Sequence, residues 1–261
     1  MPEIAPLLEL RNVSVMRGST LALDRLSLTI ASGEHVAILG PNGCGKSTLV
    51  KVVSRECYPL LHEGFVLRIM GQEVWDVFQL RSCLGIVSHD LMATCTREIT
   101  GREVVLSGFF SSIGIWPHQQ ITPQMQARVD SILDRLEISH LAGREMTEMS
   151  SGEGRRILIA RALVHNPKAL LLDEPSTSLD LHAQQELSRF LSKLAASGVA
   201  VLLVTHHLAD IVPEIERVIM MKSGRVAADG PKEQMLIPER LSEVFGCQVE
   251  ISRRDGYYHA W

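Results

Sequence analysis

The chain is poor in aromatic residues, which make up 5 % of its 261 positions, so the core that its 46 % hydrophobic content builds is mainly aliphatic. It carries no surplus of positive charge. A net charge of −4 and a pI near 6.2 argue against a general binder of nucleic acid or of anionic membranes. No apolar run approaches the ~18 residues needed to span a bilayer; the longest, Val199–Val204 and Ala169–Leu172, are the size of strands. Met1-Pro2-Glu3-Ile4 lacks the basic-then-apolar order of a secretory leader. The five cysteines (Cys44, Cys57, Cys83, Cys95 and Cys247) include no C-x-x-C pair, which fits free thiols in a reducing cytosol rather than a disulfide framework. The ten histidines form no evident metal constellation, and no repeat or low-complexity tract is visible. A chain of this length holds one large α/β domain or two small ones, and no Pro/Gly-rich linker divides it.

Gly40-Pro41-Asn42-Gly43-Cys44-Gly45-Lys46-Ser47 fits the pattern G-x-x-x-x-G-K-S/T at every fixed position, with Thr48 following. Glycines permit positive φ, so successive backbone N–H groups can converge on one anion. Such a loop should leave a strand and open a helix whose positive N-terminus also faces phosphate. His35–Leu39 is a short apolar run that reads as the strand, and Ser47–Val53 can follow as the helix. Lys46 is then placed to reach the β- and γ-phosphates of a nucleoside triphosphate, and the Ser47 hydroxyl to ligate Mg²⁺.

A second constellation is acidic. Asp173-Glu174 end the apolar run Ala169–Leu172, at the kind of strand terminus where open α/β sheets place their ligands. One of these carboxylates can hold Mg²⁺, directly or through water, and the second can polarise the attacking water in phosphoryl transfer. Thr205-His206 follow the apolar run Val199–Val204 in the same way, and His206 there can donate to the γ-phosphate or to the water, although His207 adjoins it.

Around these points the chain reads as follows. Leu7–Val15 and Leu21–Ile30 have partly alternating, strand-like patterns, and Gly64–Gly71 is a further strand between turn glycines, together a plausible antiparallel sheet. The character changes between about Gln79 and Leu141. Thr100-Gly101-Arg102-Glu103 is a capping-box pattern, and Gln124–Leu136 has helical apolar spacing. Arg155–Val164 predicts another helix, Asp180 the cap of one ending at Gly198, and Arg217–Lys222 with Val226–Ala228 further strands. The expected organisation is a single domain over 1–261, with an α/β core at about 1–88 and 155–261 and a helical subdomain at about 89–154.

Taken in order, these residues resemble the ATP-binding-cassette (ABC) ATPases over nearly the whole chain. Gly40–Thr48 resembles the Walker A loop and Leu170–Glu174 Walker B plus the catalytic glutamate. Met149-Ser150-Ser151-Gly152-Glu153 resembles the family signature, usually Leu-Ser-Gly-Gly-Gln; Ser178-Leu179-Asp180 resembles the D-loop and His206 the switch histidine. The resemblance implies a phosphate-loop NTPase core with a parallel sheet, an antiparallel β subdomain and an inserted α-helical subdomain. It implies cassettes paired head to tail around two Mg-ATP, the partner being a second copy or a homologous cassette. Lys46, Ser47, Asp173, Glu174 and His206 would then serve their own ATP, while Ser150, Gly152 and Glu153 would face the one held opposite.

Some positions depart from the family pattern. Arg17 stands where an aromatic normally stacks on adenine; its guanidinium either stacks in turn or is solvated. His89 stands in place of the Q-loop glutamine that touches Mg²⁺ or water, either as a replacement that protonation would disable or as a tolerated variation. Cys44 lies in the loop itself, either as a thiol activated by the helix-terminal field or as a small residue that fits. The Phe109–Trp116 cluster is either a docking surface or lobe core. That stretch, with His89 and Ser-Ser-Gly-Glu, resembles a bacterial cassette branch described as molybdate-transport-related or photorepair-like. The main reading is a cytoplasmic ATPase subunit, peripheral on the inner membrane face, that drives a separate transmembrane permease. The alternative is a soluble cassette ATPase acting without a permease on a ribosome, nucleic acid or another protein complex. The absence of a second module and of long coiled-coil or zinc insertions favours transport.

Overall fold

The computed structural model describes residues 5–88, 91 and 98–261. In chain order the strands are β1 (Leu8–Arg17), β2 (Thr20–Ile30), β3 (Val36–Leu39), β4 (Val66–Ile69), β5 (Leu84–Val87), β6 (Ala169–Asp173), β7 (Ala200–Thr205), β8 (Arg217–Lys222), β9 (Arg225–Pro231), β10 (Ile251–Arg254) and β11 (Tyr257–Ala260). The α-helices are α1 (Lys46–Val53), α2 (Val77–Cys83), α3 (Gly101–Ser107), α4 (Pro123–Arg135), α5 (Ser151–Ala162), α6 (Leu181–Ala196), α7 (Lys232–Met235) and α8 (Pro238–Phe245).

Among the described residues the largest sheet has six strands in the order β5-β6-β7-β3-β8-β9. It is parallel from β5 through β8, and β9 closes it antiparallel. The continuous apolar runs in β3, β6 and β7 follow from that position, because both faces of a parallel sheet are covered. Alternate side chains divide between two hydrophobic clusters. Leu170, Leu172, Val201, Leu203 and Leu39 face the helical side with α5 and α6. Leu171, Leu202, Val204 and Ile38 face α1 and the three-stranded antiparallel sheet β2-β1-β4.

Local signals account for the helix starts. Thr100 accepts from the Glu103 N–H and the Glu103 carboxylate accepts from the Thr100 N–H, the capping box the sequence predicts for α3. Asp180 caps α6 by accepting from the Ala183 N–H at 2.8 Å. Helix α5 begins at Ser151, one residue after its own capping Ser150, and so starts earlier than the Arg155 expected from its apolar spacing. Helices α3, α4 and α5 share one cluster through Val104, Val105, Val129, Ile132, Ile157 and Leu158. No helix among the described residues is long and apolar enough to cross a membrane.

Two regions escaped the sequence reading. Helix α2 and β5 lie at the end of the stretch expected as α/β core but carry no local signal that marks them, and β5 forms the edge of the parallel sheet beside β6. Beyond β9, two short helices and the β10–β11 hairpin carry no motif; Tyr258 and Ile251 of that hairpin pack on the main cluster.

Candidate active site

Parallel registration brings the expected site together. Leu39 of β3 is level with Thr205 of β7, and Asp173 of β6 is level with Val204 of β7. Gly40, Glu174 and His206 therefore leave three adjacent strands within one residue of the same height, with ~4.8 Å from strand to strand. Val87 pairs with Leu172, so Ser88 joins the same edge.

The loop between β3 and α1 wraps on itself. Gly45 holds φ 108°, and a Cβ there would meet Ala22 O of β2 at 2.5 Å, so both conformation and space demand glycine. Gly43 also takes positive φ, at 77°. The turn between β8 and β9 braces the loop from outside: the Gly224 N–H donates to Cys44 O at 2.9 Å, and the Asp24 N–H donates to Gly224 O at 3.0 Å. Lys46, the first residue of α1, is only 4 % exposed. Its ammonium donates to Gly40 O at 2.8 Å and Pro41 O at 3.1 Å and lies 3.5 Å from Glu174 Oε1.

Glu174 is held by the ends of two strands. Its φ is +49°, uncommon for a residue with a side chain, and its N–H donates to Val204 O at 2.7 Å. His206 Nδ1 is 3.1 Å from Glu174 Oε1, and the Thr177 hydroxyl donates to Oε2 at 3.4 Å. Burial pushes this carboxyl up, but His206 and Lys46 together outweigh it and hold it below its ordinary value. His206 stacks on His207, with ring centroids 3.8 Å apart. Behind them the buried Asp210 accepts from the Thr205 hydroxyl at 2.5 Å; burial nonetheless raises its carboxyl.

A cleft of about 280 Å³ opens at this edge, lined by Ser47, Lys51, Ser88, Asp173, Glu174 and Thr177 among others. The Ser47 hydroxyl and the buried Asp173 carboxylate give it the hard oxygen set that Mg²⁺ prefers. A second cleft of about 300 Å³ adjoins it, sharing Ser54, Glu56 and Ser88, and runs out between β5, α2 and the helices.

The signature residues lie elsewhere: among the described residues, Ser150, Gly152 and Glu153 do not line the first cleft. Ser150 is exposed and caps α5 by accepting from the Glu153 N–H at 3.2 Å, while the Ser150 N–H donates to Glu153 Oε2 at 2.8 Å. Arg144 donates to Glu153 Oε1 at 2.7 Å. Burial raises the Glu153 carboxyl, but the Ser150 bonds and Arg144 prevail and lower it. Gly152 is buried against α6, where a Cβ would come within 3.1 Å of Ala183 Cβ.

The departures from the family pattern resolve unevenly. Arg17 is exposed at the end of β1, in the hairpin whose second strand touches Gly45. His89 lies outside the described residues. Of the two readings of Cys44, the structure favours the small residue that fits: Cys44 is buried in the cluster with α1, and burial outweighs Lys46 and the loop amides to push the thiol up. Phe109, Ile113 and Ile115 pack on the main cluster, whereas Trp116 is 50 % exposed. Sequence reasoning missed the Gly224 brace and the buried Arg155. The brace is a contact across the fold with no local signal, and Arg155 was absorbed into an apolar helix pattern.

This arrangement is that of a phosphate-loop ATPase, and the chain belongs to the ABC transporter family, whose model matches residues 23–177. It is an ATP-binding cassette, the nucleotide-binding ATPase component of such systems. It is 31 % identical to the hemin import ATP-binding protein HmuV of Bradyrhizobium diazoefficiens over 97 % of this chain and 93 % of that protein. It is 32 % identical to the Nod factor export ATP-binding protein I of Rhizobium johnstonii over 93 % of this chain and 73 % of that one. Among solved structures it superposes on cbiO1 of Clostridium perfringens, part of the ABC transporter complex cbiONQ. The TM-score there is 0.75 at 27 % identity, covering 92 % of this chain and 94 % of that one. A bacterial cassette solved as a dimer gives a TM-score of 0.67 at 27 % identity, covering 86 % and 98 %.

Proposed function

We propose that two copies of this cassette, or one copy and a homologous cassette, close head to tail on two Mg-ATP and that hydrolysis reopens them to drive a separate membrane permease. The observation that carries this is the separation of the two half-sites. Lys46, Glu174 and His206 converge at one sheet edge, while the exposed start of α5 lies outside that cleft. In this reading the amides of Gly40 through Thr48 cradle the phosphates and Lys46 neutralises the β- and γ-oxygens. Ser47 and Asp173 would hold Mg²⁺, which would supply charge neutralisation at the phosphates. Ser150 and Gly152, backed by the positive end of α5 and by Glu153, cover the γ-phosphate bound opposite.

Glu174 orients and polarises the water, and His206 donates to the γ-phosphate. Held low, Glu174 is a weak proton acceptor. His206 first and Lys46 next hold the carboxyl down, so a turn of either cation toward phosphate would make Glu174 more basic. Arg17 lies against the base from the β1–β2 hairpin, and His89 takes the Q-loop place. The helices between 89 and 154 act as the inserted subdomain. The second cleft, with Arg81, Ile86, Ile113 and Arg161 on its walls, receives the permease at the cytoplasmic face of the membrane. Relatives named for import and for export stand at similar identity, so cargo and direction follow the permease.

The test is the Glu174→Gln protein. Light scattering should show a dimer that forms with ATP and not with ADP, and affinity purification of that trapped form should recover a multi-span membrane protein. A monomer at saturating ATP sinks the paired-cassette reading. Ribosomal or DNA-associated proteins in the eluate would replace the permease with a soluble load.

A further inference from the structure

Arg155 is a charged side chain in an unusual place. It sits one turn into α5, only 2 % exposed. Its guanidinium donates to Glu174 O at 3.4 Å and to Thr177 O at 3.1 Å, spanning the whole turn that follows β6. That turn is strained, with φ +49° at Glu174 and +66° at Ser178, and side-chain residues stay in this region only where their surroundings fix them. Thr177 also donates to the Glu174 carboxylate, so Arg155 grips both the backbone of Glu174 and the residue that orients it. Burial lowers the guanidinium to about 10, and the charge of Asp210 opposes that fall. Arg155 therefore remains charged at neutral pH. Asp210 accepts from Thr205, whose hydroxyl in turn accepts from the His207 N–H at 3.0 Å. One buried polar group on the signature helix thus bonds the Glu174 turn and feels the charge of Asp210, which itself bonds the Thr205 that precedes His206.

We propose that Arg155 is a positioning residue that ties the helix carrying Ser150 to the backbone carrying Glu174, so that seating of the signature on the opposite ATP sets the carboxylate of its own site. The idea rests on the roles given above to Glu174 and Ser150. A neutral side chain at 155 would leave α5 folded and the phosphate loop untouched but would free the turn. A misplacement of about an ångström at a reacting group costs on the order of a hundredfold in rate.

The experiment compares steady-state ATP hydrolysis and dimerisation. Arg155→Gln should lower kcat about ten- to a hundredfold with KM for ATP within about twofold of wild type. Arg155→Lys, which keeps the charge and one donor, should recover part of kcat. In the Glu174→Gln background, adding Arg155→Gln should leave ATP-dependent dimerisation intact. Wild-type kcat in Arg155→Gln overturns the proposal, and so does loss of dimer and hydrolysis in parallel, which would make Arg155 a support of the signature alone. Should Arg155→Gln not fold, Arg155→Lys decides: reduced kcat at constant KM supports the proposal and full kcat overturns it. Failure of Glu174→Gln itself to dimerise points instead at the paired-cassette reading.

Discussion

The phosphate-loop end and the signature end of this chain solve opposite problems. At the first, groups turn inward: Lys46 is buried and bonded to its own loop, and Glu174 is flanked by His206 and Thr177. At the second, the chain presents an exposed serine at the start of a helix of 12 residues, held by its own capping box. One end gathers a lysine, a carboxylate and a histidine, while the other leaves its serine on the surface. On the function proposed above, the chemistry is built within the chain and is completed by a second one.

The sharpest way to break that comparison is complementation. Lys46→Ala and Ser150→Arg should each lose hydrolysis, and mixing the two should restore it, because one composite site in the mixed pair keeps both wild-type halves. No recovery on mixing would place both ends in one site. Glu174→Gln should lower kcat by about 10²–10⁴-fold, the range of a lost general base, while equilibrium dialysis still shows ATP bound. At the signature end, Ser150→Ala should cost about 1 kcal/mol through the lost cap, seen as a melting temperature lower by about 2–4 °C. Glu153→Gln tests the same cap by pH. The folded carboxyl lies below its unfolded value, so its stabilisation is complete above the ordinary carboxylate range and fades as pH falls through the folded value. The stability gap between wild type and Glu153→Gln in urea titrations should shrink on acidification, and a constant gap counts against it. Smallest is a difference in thiol reactivity: exposed Cys247 should alkylate well before buried Cys44, with or without Mg-ATP.

Much of the site was legible because its parts are local. A glycine pattern after an apolar run, a carboxylate pair after another, and a histidine after a third each announced a strand end, and the parallel sheet aligned them. The Thr100 and Asp180 caps were legible for the same reason. What stayed hidden depends on residues far apart in sequence. The sequence left Cys44 open between a thiol activated by a helix terminus and a small residue that fits, because the packing from the antiparallel sheet and α1 that pushes its thiol up comes from residues far away in sequence. Strand β5 is short and carries no pattern of its own until β6 lies beside it. Arg155 looked like one more basic residue on a helix, because nothing near it in sequence reveals that the Glu174 turn closes over it.

The brace from Gly224 to Cys44 O has a kinetic consequence. A loop whose shape is fixed by a distant hairpin meets its ordering cost during folding, not at each encounter with nucleotide. Capture of ATP would then need no rearrangement of the loop, its association rate would be set by diffusion and orientation, and, on the proposed function, the slow steps of the cycle would fall to the meeting and parting of two chains.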